Sequence, residues 1–239
     1  MKNLLIMSGI ILSFFLIHSC KKSDNNTIKD VDRNVYKTIK IGTLIWMAEN
    51  LKTTRFNDGT KIPMVKGNDE FKEMRTPAYS WYNNETDNKR IYGGLYNWYS
   101  VNTGKLCPAG WHVPSDTEWK TLEISLGMNE NNANDLGDRG TDQGARLKNP
   151  TGWDPDDKII NPSGFAALPA GLRCDDGSFM EANDGNYLRY HTYFWSSTPR
   201  EGTAGAMDAY YRSLESRKNT IFRLLSGKYR GHSVRCIKD

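Results

Sequence analysis

Cys107-Pro108-Ala109-Gly110-Trp111-His112-Val113-Pro114-Ser115-Asp116-Thr117-Glu118-Trp119 is the stretch whose reading decides the fold. Pro108 and Gly110 force a turn, and Pro114 pushes Val113 to extended backbone. Ser115 with Glu118 three residues on forms a capping box, in which the hydroxyl satisfies an orphan helix N–H and the carboxylate reaches back. Trp119, Leu122 and Leu126 then recur at helical spacing, and Gly127 supplies a stop. A turn, a short extended piece and one amphipathic helix over about 115–126 are therefore expected, with Cys107 at the entrance.

Outward from this stretch the chain reads as short strands joined by large loops. Val35 to Ile41 and Leu44 to Met47 flank Gly42-Thr43, the form of a two-residue hairpin turn. Leu95, Trp98 and Tyr99 stand at helical spacing and predict a short helix. Residues 64–92 and 129–164 are poor in aliphatics and are expected to be mostly loop, with one helical turn over Gly144 to Lys148. Tyr193 to Ser197, Met207 to Ser213, Asn219 to Leu225 and Ser233 to Ile237 are expected strands. Apolar residues make up 38% of the 239, but aromatics reach 11%, so a core can be built with fewer aliphatics. Trp46, Trp98, Trp111, Trp119 and Trp195 are its expected members. The net charge of +4 carries no basic run, so no nucleic-acid partner is expected.

The first residues carry an address. Lys2 precedes an apolar stretch, Leu4 to Ile17, too short for a comfortable membrane span. It ends Leu16-Ile17-His18-Ser19-Cys20, which resembles the cleavage box of bacterial lipoproteins, with His18 as a departure from the usual small residue. That resemblance implies a signal peptide over 1–19 and acylation of Cys20. Acyl chains would hold the protein on a membrane without a spanning helix. The polar run 20–33 reads as a tether and 34–239 as a single domain, lodged in the cell envelope and expected at the outer membrane. Of the four cysteines, Cys107 precedes the expected helix, Cys236 lies in the expected last strand, and the two are the expected disulfide. Cys174 is left as a free thiol or a competitor for a partner.

Ile45 to Leu51, Tyr92 to Trp98, Cys107 to Trp119, Gly164 to Gly171, Phe194 to Thr198 and Ser233 to Cys236, in this order, resemble the Fibrobacter succinogenes major paralogous domain. The likeness runs from about residue 31 to the C-terminus. That family is abundant in secreted and lipid-anchored proteins of Bacteroidetes-like bacteria. Its relation to the C-type lectin-like and formylglycine-generating-enzyme group implies an α+β domain of short antiparallel strands, one or two helices and long loops. It implies no particular chemistry. Cys174 stands where the family often has another residue.

The residue pattern favours binding over catalysis. His112, His191 and His232 form no metal-spaced pair, and neither a nucleophile elbow nor a phosphate loop occurs. His112 is expected to bond backbone. The acidic stretches Asp135 to Asp142, Asp154 to Asp157 and Glu181 to Asp184 could offer oxygen ligands to calcium, but none has EF-hand spacing and the reading is solvated loop, so no cofactor is expected. Trp153, Tyr187, Tyr190 and Tyr193 lie in the loop-rich half and are the candidate ligand-binding residues, because exposed aromatics stack on sugars or anchor partners. The expectation is a non-catalytic, lipid-anchored binding or adhesion module for glycan or a surface protein. The alternatives are an enzyme or degenerate enzyme on a formylglycine-generating-enzyme-like scaffold, and a structural envelope lipoprotein.

Overall fold

The computed structural model describes residues 26–157, 159, 162–180, 187–202 and 207–239. The elements run β1 (Thr27–Lys29), β2 (Val35–Ile41), β3 (Leu44–Met47), α1 (Asn68–Glu73), β4 (Tyr79–Ser80), α2 (Thr86–Tyr92), β5 (Leu95–Tyr96) and α3 (Trp98–Val101). There follow β6 (Trp111–His112), α4 (Asp116–Ser125), α5 (Glu130–Asn134), β7 (Gly137–Arg139) and α6 (Gln143–Leu147). The chain closes with β8 (His191–Pro199), β9 (Asp208–Glu215), β10 (Ile221–Gly227) and β11 (Ile237–Lys238). Short 3-10 turns occupy Tyr82–Asn84 and Tyr187–Arg189. The paired strands are mostly antiparallel and the helices short, so the class is α+β.

One sheet has the order β1-β2-β3-β11-β6, a second β7-β10-β9-β8, and β4 pairs β5. The terminal strand is therefore inserted between β3 and β6, with Ile237 opposite both Trp46 and His112. The Cys107–Cys236 disulfide forms beside it, joining residues 129 apart in sequence with Cα atoms 5.9 Å apart.

Two local devices set this geometry. The first is the hairpin: Gly42 sits at φ 60, as a primed turn requires. A Cβ there would also meet the Ser125 Cβ at 2.7 Å, so glycine lets the hairpin press on α4. The second is the capping box, with Glu118 N donating to Ser115 Oγ at 3.2 Å and Ser115 N to Glu118 Oε2 at 2.8 Å. It aims α4 so that Trp119 lies among Trp46 (5.0 Å), Phe194 (5.7 Å) and Phe165 (5.8 Å). Trp119, Leu122 and Leu126 are buried as their spacing predicts.

Several expectations need correction. Within the tether assigned to 20–33, of which 20–25 lie outside the described residues, Thr27–Lys29 is a strand: β1 pairs β2, and Asp30 is buried, accepting from Asn34 N at 2.9 Å. The folded body thus begins before Asn34. Leu95 belongs to β5, and the helix starts only at Trp98 because the Asn97 side chain takes the cap position, accepting from Ser100 N at 3.1 Å. Residues 64–92 hold α1 and α2, and 129–147 hold α5, β7 and α6. The last of these is the helical turn expected over Gly144 to Lys148, whereas α5 and β7 escaped a search for apolar periodicity because a cap and a charge hold them: Asn129 caps α5 and Arg139 anchors β7. Over Ser233 to Cys236 the chain is buried and bridged at Phe194–Ser233, but regular strand is confined to β11.

The loop closed by Cys107 and Cys236 restricts the unfolded chain. Cys107→Ser with Cys236→Ser is expected to lower unfolding free energy by about 3–5 kcal/mol, read as an earlier urea midpoint with a steeper slope, because the unlinked unfolded chain exposes more surface.

Candidate functional site

The candidate aromatics separate in the structure. Trp153 is only 6% exposed; its indole N–H donates to Ala167 O at 2.8 Å, and Lys148 Nζ lies 4.8 Å from its ring centroid. It is core, which removes it from any exposed rim. Tyr187 opens a 3-10 turn, and its side chain lies outside the described residues. Tyr190 and Tyr193 are half-buried and flank the start of β8. Tyr193 stacks on His191 at 6.2 Å and approaches Tyr211 at 5.8 Å and His232 at 5.4 Å, while His232 stacks on Trp195 at 4.0 Å. This panel runs from buried indole to half-exposed phenol. Burial holds the His191 and His232 rings toward the neutral form, below the usual histidine range. A neutral, partly exposed aromatic panel can pack against an apolar sugar face or a peptide side chain.

A second concave region was not legible in the sequence. A groove of about 310 Å³ is lined by Asn34, Val35, Lys52, Thr86, Lys89 and Arg90. It shares Lys52 and Arg90 with a smaller cavity of about 80 Å³ that reaches Arg235. Arg235 is buried, donating to Asn50 Oδ1 and to the Phe165 and Ala166 carbonyls. Its guanidinium stands over Phe165, and burial lowers its pKa to about 9. Lys52, Lys89 and Arg90 are scattered over the sequence, so no motif announces them; the hairpin and α2 bring them together.

Residues 39–238 match the family model described as Fibrobacter succinogenes major domain. The chain belongs to that family. No curated protein and no solved structure matches it. The family match starts within β2, so β1 and the turn after it precede the matched region.

The remaining site expectations resolve as follows. Cys20 and Glu181 to Asp184 lie outside the described residues. Asp154 and Asp156 pair with Arg217 at 3.2 and 3.0 Å, Asp157 with Lys148 at 2.7 Å, and Asp138 with Lys218 at 3.3 Å. These carboxylates are matched by cations. Among the described residues no group of three His, Cys, Asp or Glu side chains is placed to hold a metal. Cys174 is a half-buried free thiol, and burial pushes its pKa up, away from the reactive thiolate. His112 bonds side chains, not backbone: Nδ1 meets Asp239 Oδ1 at 2.6 Å and Nε2 meets Glu118 Oε1 at 2.9 Å.

His112 thus ties the capping box to the last residue of the chain. Partial burial lowers its pKa, but the bonds to Asp239 and Glu118 outweigh this and the net shift is upward from 6.5. A raised folded pKa gives stability that is fully present below 6.5 and is lost as pH rises through the folded value. The difference in melting temperature between wild type and His112→Gln is therefore expected to shrink as pH is raised from 6.5 to 8.5. The buried His232 acts in the opposite sense in both proteins and cancels in the difference.

Proposed function

We propose that this protein is a non-catalytic binding module, lipid-anchored at the outer membrane of the cell envelope, that recognises glycan or a surface protein. The observation that carries it is the partly exposed pair Tyr193 and His191, backed by the buried Tyr211, with Tyr190 beside it. Rigid aromatics provide contact area at small entropic cost. The Cys174 thiol is shifted toward its neutral form, and the Ser226 Oγ–His232 Nε2 contact of 3.4 Å is buried behind the panel. A C-type lectin-like architecture is the reading of the α+β body that suits such a role. The shared sheet of β1 and β11 supports it by bringing the first and last strands into one layer.

Anchorage rests on the box ending at Cys20. Among the described residues no helix is long and apolar enough to cross a membrane. Acylation of Cys20 would hold the folded body by a few residues of chain.

Two measurements test this reading. Cys20→Ser is expected to abolish incorporation of labelled fatty acid and to move the protein from the membrane to the soluble fraction. On a glycan array and a surface-protein pull-down, the full chain is expected to bind at least one ligand equally with calcium or with chelator. Tyr190→Ala with Tyr193→Ala is expected to weaken that binding at least tenfold. Substrate turnover that depends on the Cys174 thiol would instead favour an enzyme.

A further inference from the structure

The groove beside α2 joins three features that the aromatic panel lacks. The first is charge. Lys89 and Arg90 have no ion-pair partner among the described residues, and Lys89 Nζ is propped 5.4 Å from the Trp81 ring centroid. The neighbouring carboxylates are largely spent. Glu49 pairs with Lys52 at 3.4 Å, and Asp32 pairs with Arg55 at 3.3 Å while accepting from Thr54 N at 2.6 Å. Asp87, in the first turn of α2, and Glu85, at its N-cap, are exposed acids that remain nearby.

The second feature is apolar surface at the same rim. Val35 is 44% exposed and Ile91 50%, and they line the groove and its inner cavity respectively. Val31, in the turn between β1 and β2, is 42% exposed. Exposed aliphatics alternating with unpaired cations suit an interface that is apolar just beneath a layer of negative charge.

The third feature is where the chain enters. β1 lies against β2 with Lys29 opposite Val35, so Thr27 enters the fold about two residues from the groove. From Cys20 to Thr27 the chain can span at most about 25 Å. A lipid on Cys20 would keep this rim near the bilayer surface.

We propose that the face formed by Val35, Lys52, Lys89, Arg90 and Ile91 rests on the membrane, with an anionic lipid headgroup, a phosphate ester, in the groove. The proposal rests on the lipid-anchor reading above. The headgroup oxygens sit among Lys52, Lys89 and Arg90, and Val35 and Ile91 dip into the acyl boundary. The anchor keeps the face near the membrane, and the face sets which way the domain points.

The test uses the chain from residue 20, which keeps every described residue, as acylated lipoprotein and as the Cys20→Ser form. Each is sedimented with phosphatidylcholine vesicles and with vesicles containing 30% phosphatidylglycerol. The acylated form is expected on both. The Cys20→Ser form is expected on anionic vesicles only, with at least a tenfold loss on raising salt from 50 to 500 mM. Lys89→Glu with Arg90→Glu should cause a comparable loss at low salt, and Val35→Ser with Ile91→Ser a smaller one, with folding checked by the melting transition. If the charge-reversed protein fails to fold, the Val35 and Ile91 variant decides alone. Failure of the acylated form on neutral vesicles would sink the anchor, whereas failure of the Cys20→Ser form on anionic vesicles would sink only the face. Displacement by inorganic phosphate beyond a chloride control of equal ionic strength would mean a free-anion site and would overturn the membrane assignment.

Discussion

Helix α4 carries two buried carboxylates, Asp116 and Glu123, into a region that also holds Arg139, Arg212 and Arg223. Glu123 accepts from Arg139 Nη1 at 2.6 Å and from Arg212 Nε at 2.7 Å. Asp116 accepts from Arg223 Nη2 at 2.7 Å and from Arg212 Nη1 at 2.8 Å. Each arginine comes from a different strand of the β7-β10-β9-β8 sheet, so one helix is pinned to three strands. Three arginines, with Lys120 adding a fourth cation 3.2 Å from Asp116, face two anions, and carbonyls take further donors: Arg223 Nη1 donates to Asn134 O and Asp135 O at the C-terminal end of α5. That end carries the negative pole of the helix. Burial opposes the charge on Asp116, but Arg223 and Arg212 outweigh it and hold the carboxyl well below the usual range. Desolvated charges are tolerable only when each is matched, so this lattice admits few rearrangements.

The same strategy recurs across a core short of aliphatics. Arg173 lies between Phe71 (4.2 Å) and Phe179 (4.8 Å) and donates to the Val65, Lys66, Gly67 and Gly177 carbonyls. Arg235 does likewise over Phe165. Guanidinium planes stacked on rings fill space as an apolar side chain would, and their donors satisfy loop carbonyls that have no strand partner. A fold held this way can bury irregular backbone. Loops can then carry surface features, such as the tyrosines around β8, without helices beneath them.

This explains which parts could be read from sequence. Gly42-Thr43, the Ser115–Glu118 box and the Trp119, Leu122 and Leu126 spacing each encode local geometry, and each is present as read. The pairing of Cys107 with Cys236 could be read from their places before the expected helix and in the expected last strand. β7 could not be found by pattern, because Gly137-Asp138-Arg139 has no apolar face: it pairs with β10 through its backbone and is tied to α4 through Arg139 and Glu123. Trp153 looked like a loop aromatic because its partners, Lys148 and the Ala167 carbonyl, become neighbours only after folding. The cationic groove was silent for the same reason: Lys52 follows the hairpin, whereas Lys89 and Arg90 belong to α2.

The central claim is that the charge lattice, and not apolar contact alone, locks α4 to the sheet. A double-mutant cycle on Glu123→Gln and Arg139→Met, followed by urea unfolding, measures it most directly. Glu123→Gln leaves the buried Arg139 without a carboxylate, and Arg139→Met leaves Glu123 with Arg212 alone, so the cycle is expected to give a coupling of about 2–3 kcal/mol between the two sites. Strictly additive effects, with a coupling near zero, would show that the helix is held by packing and that the claim is wrong.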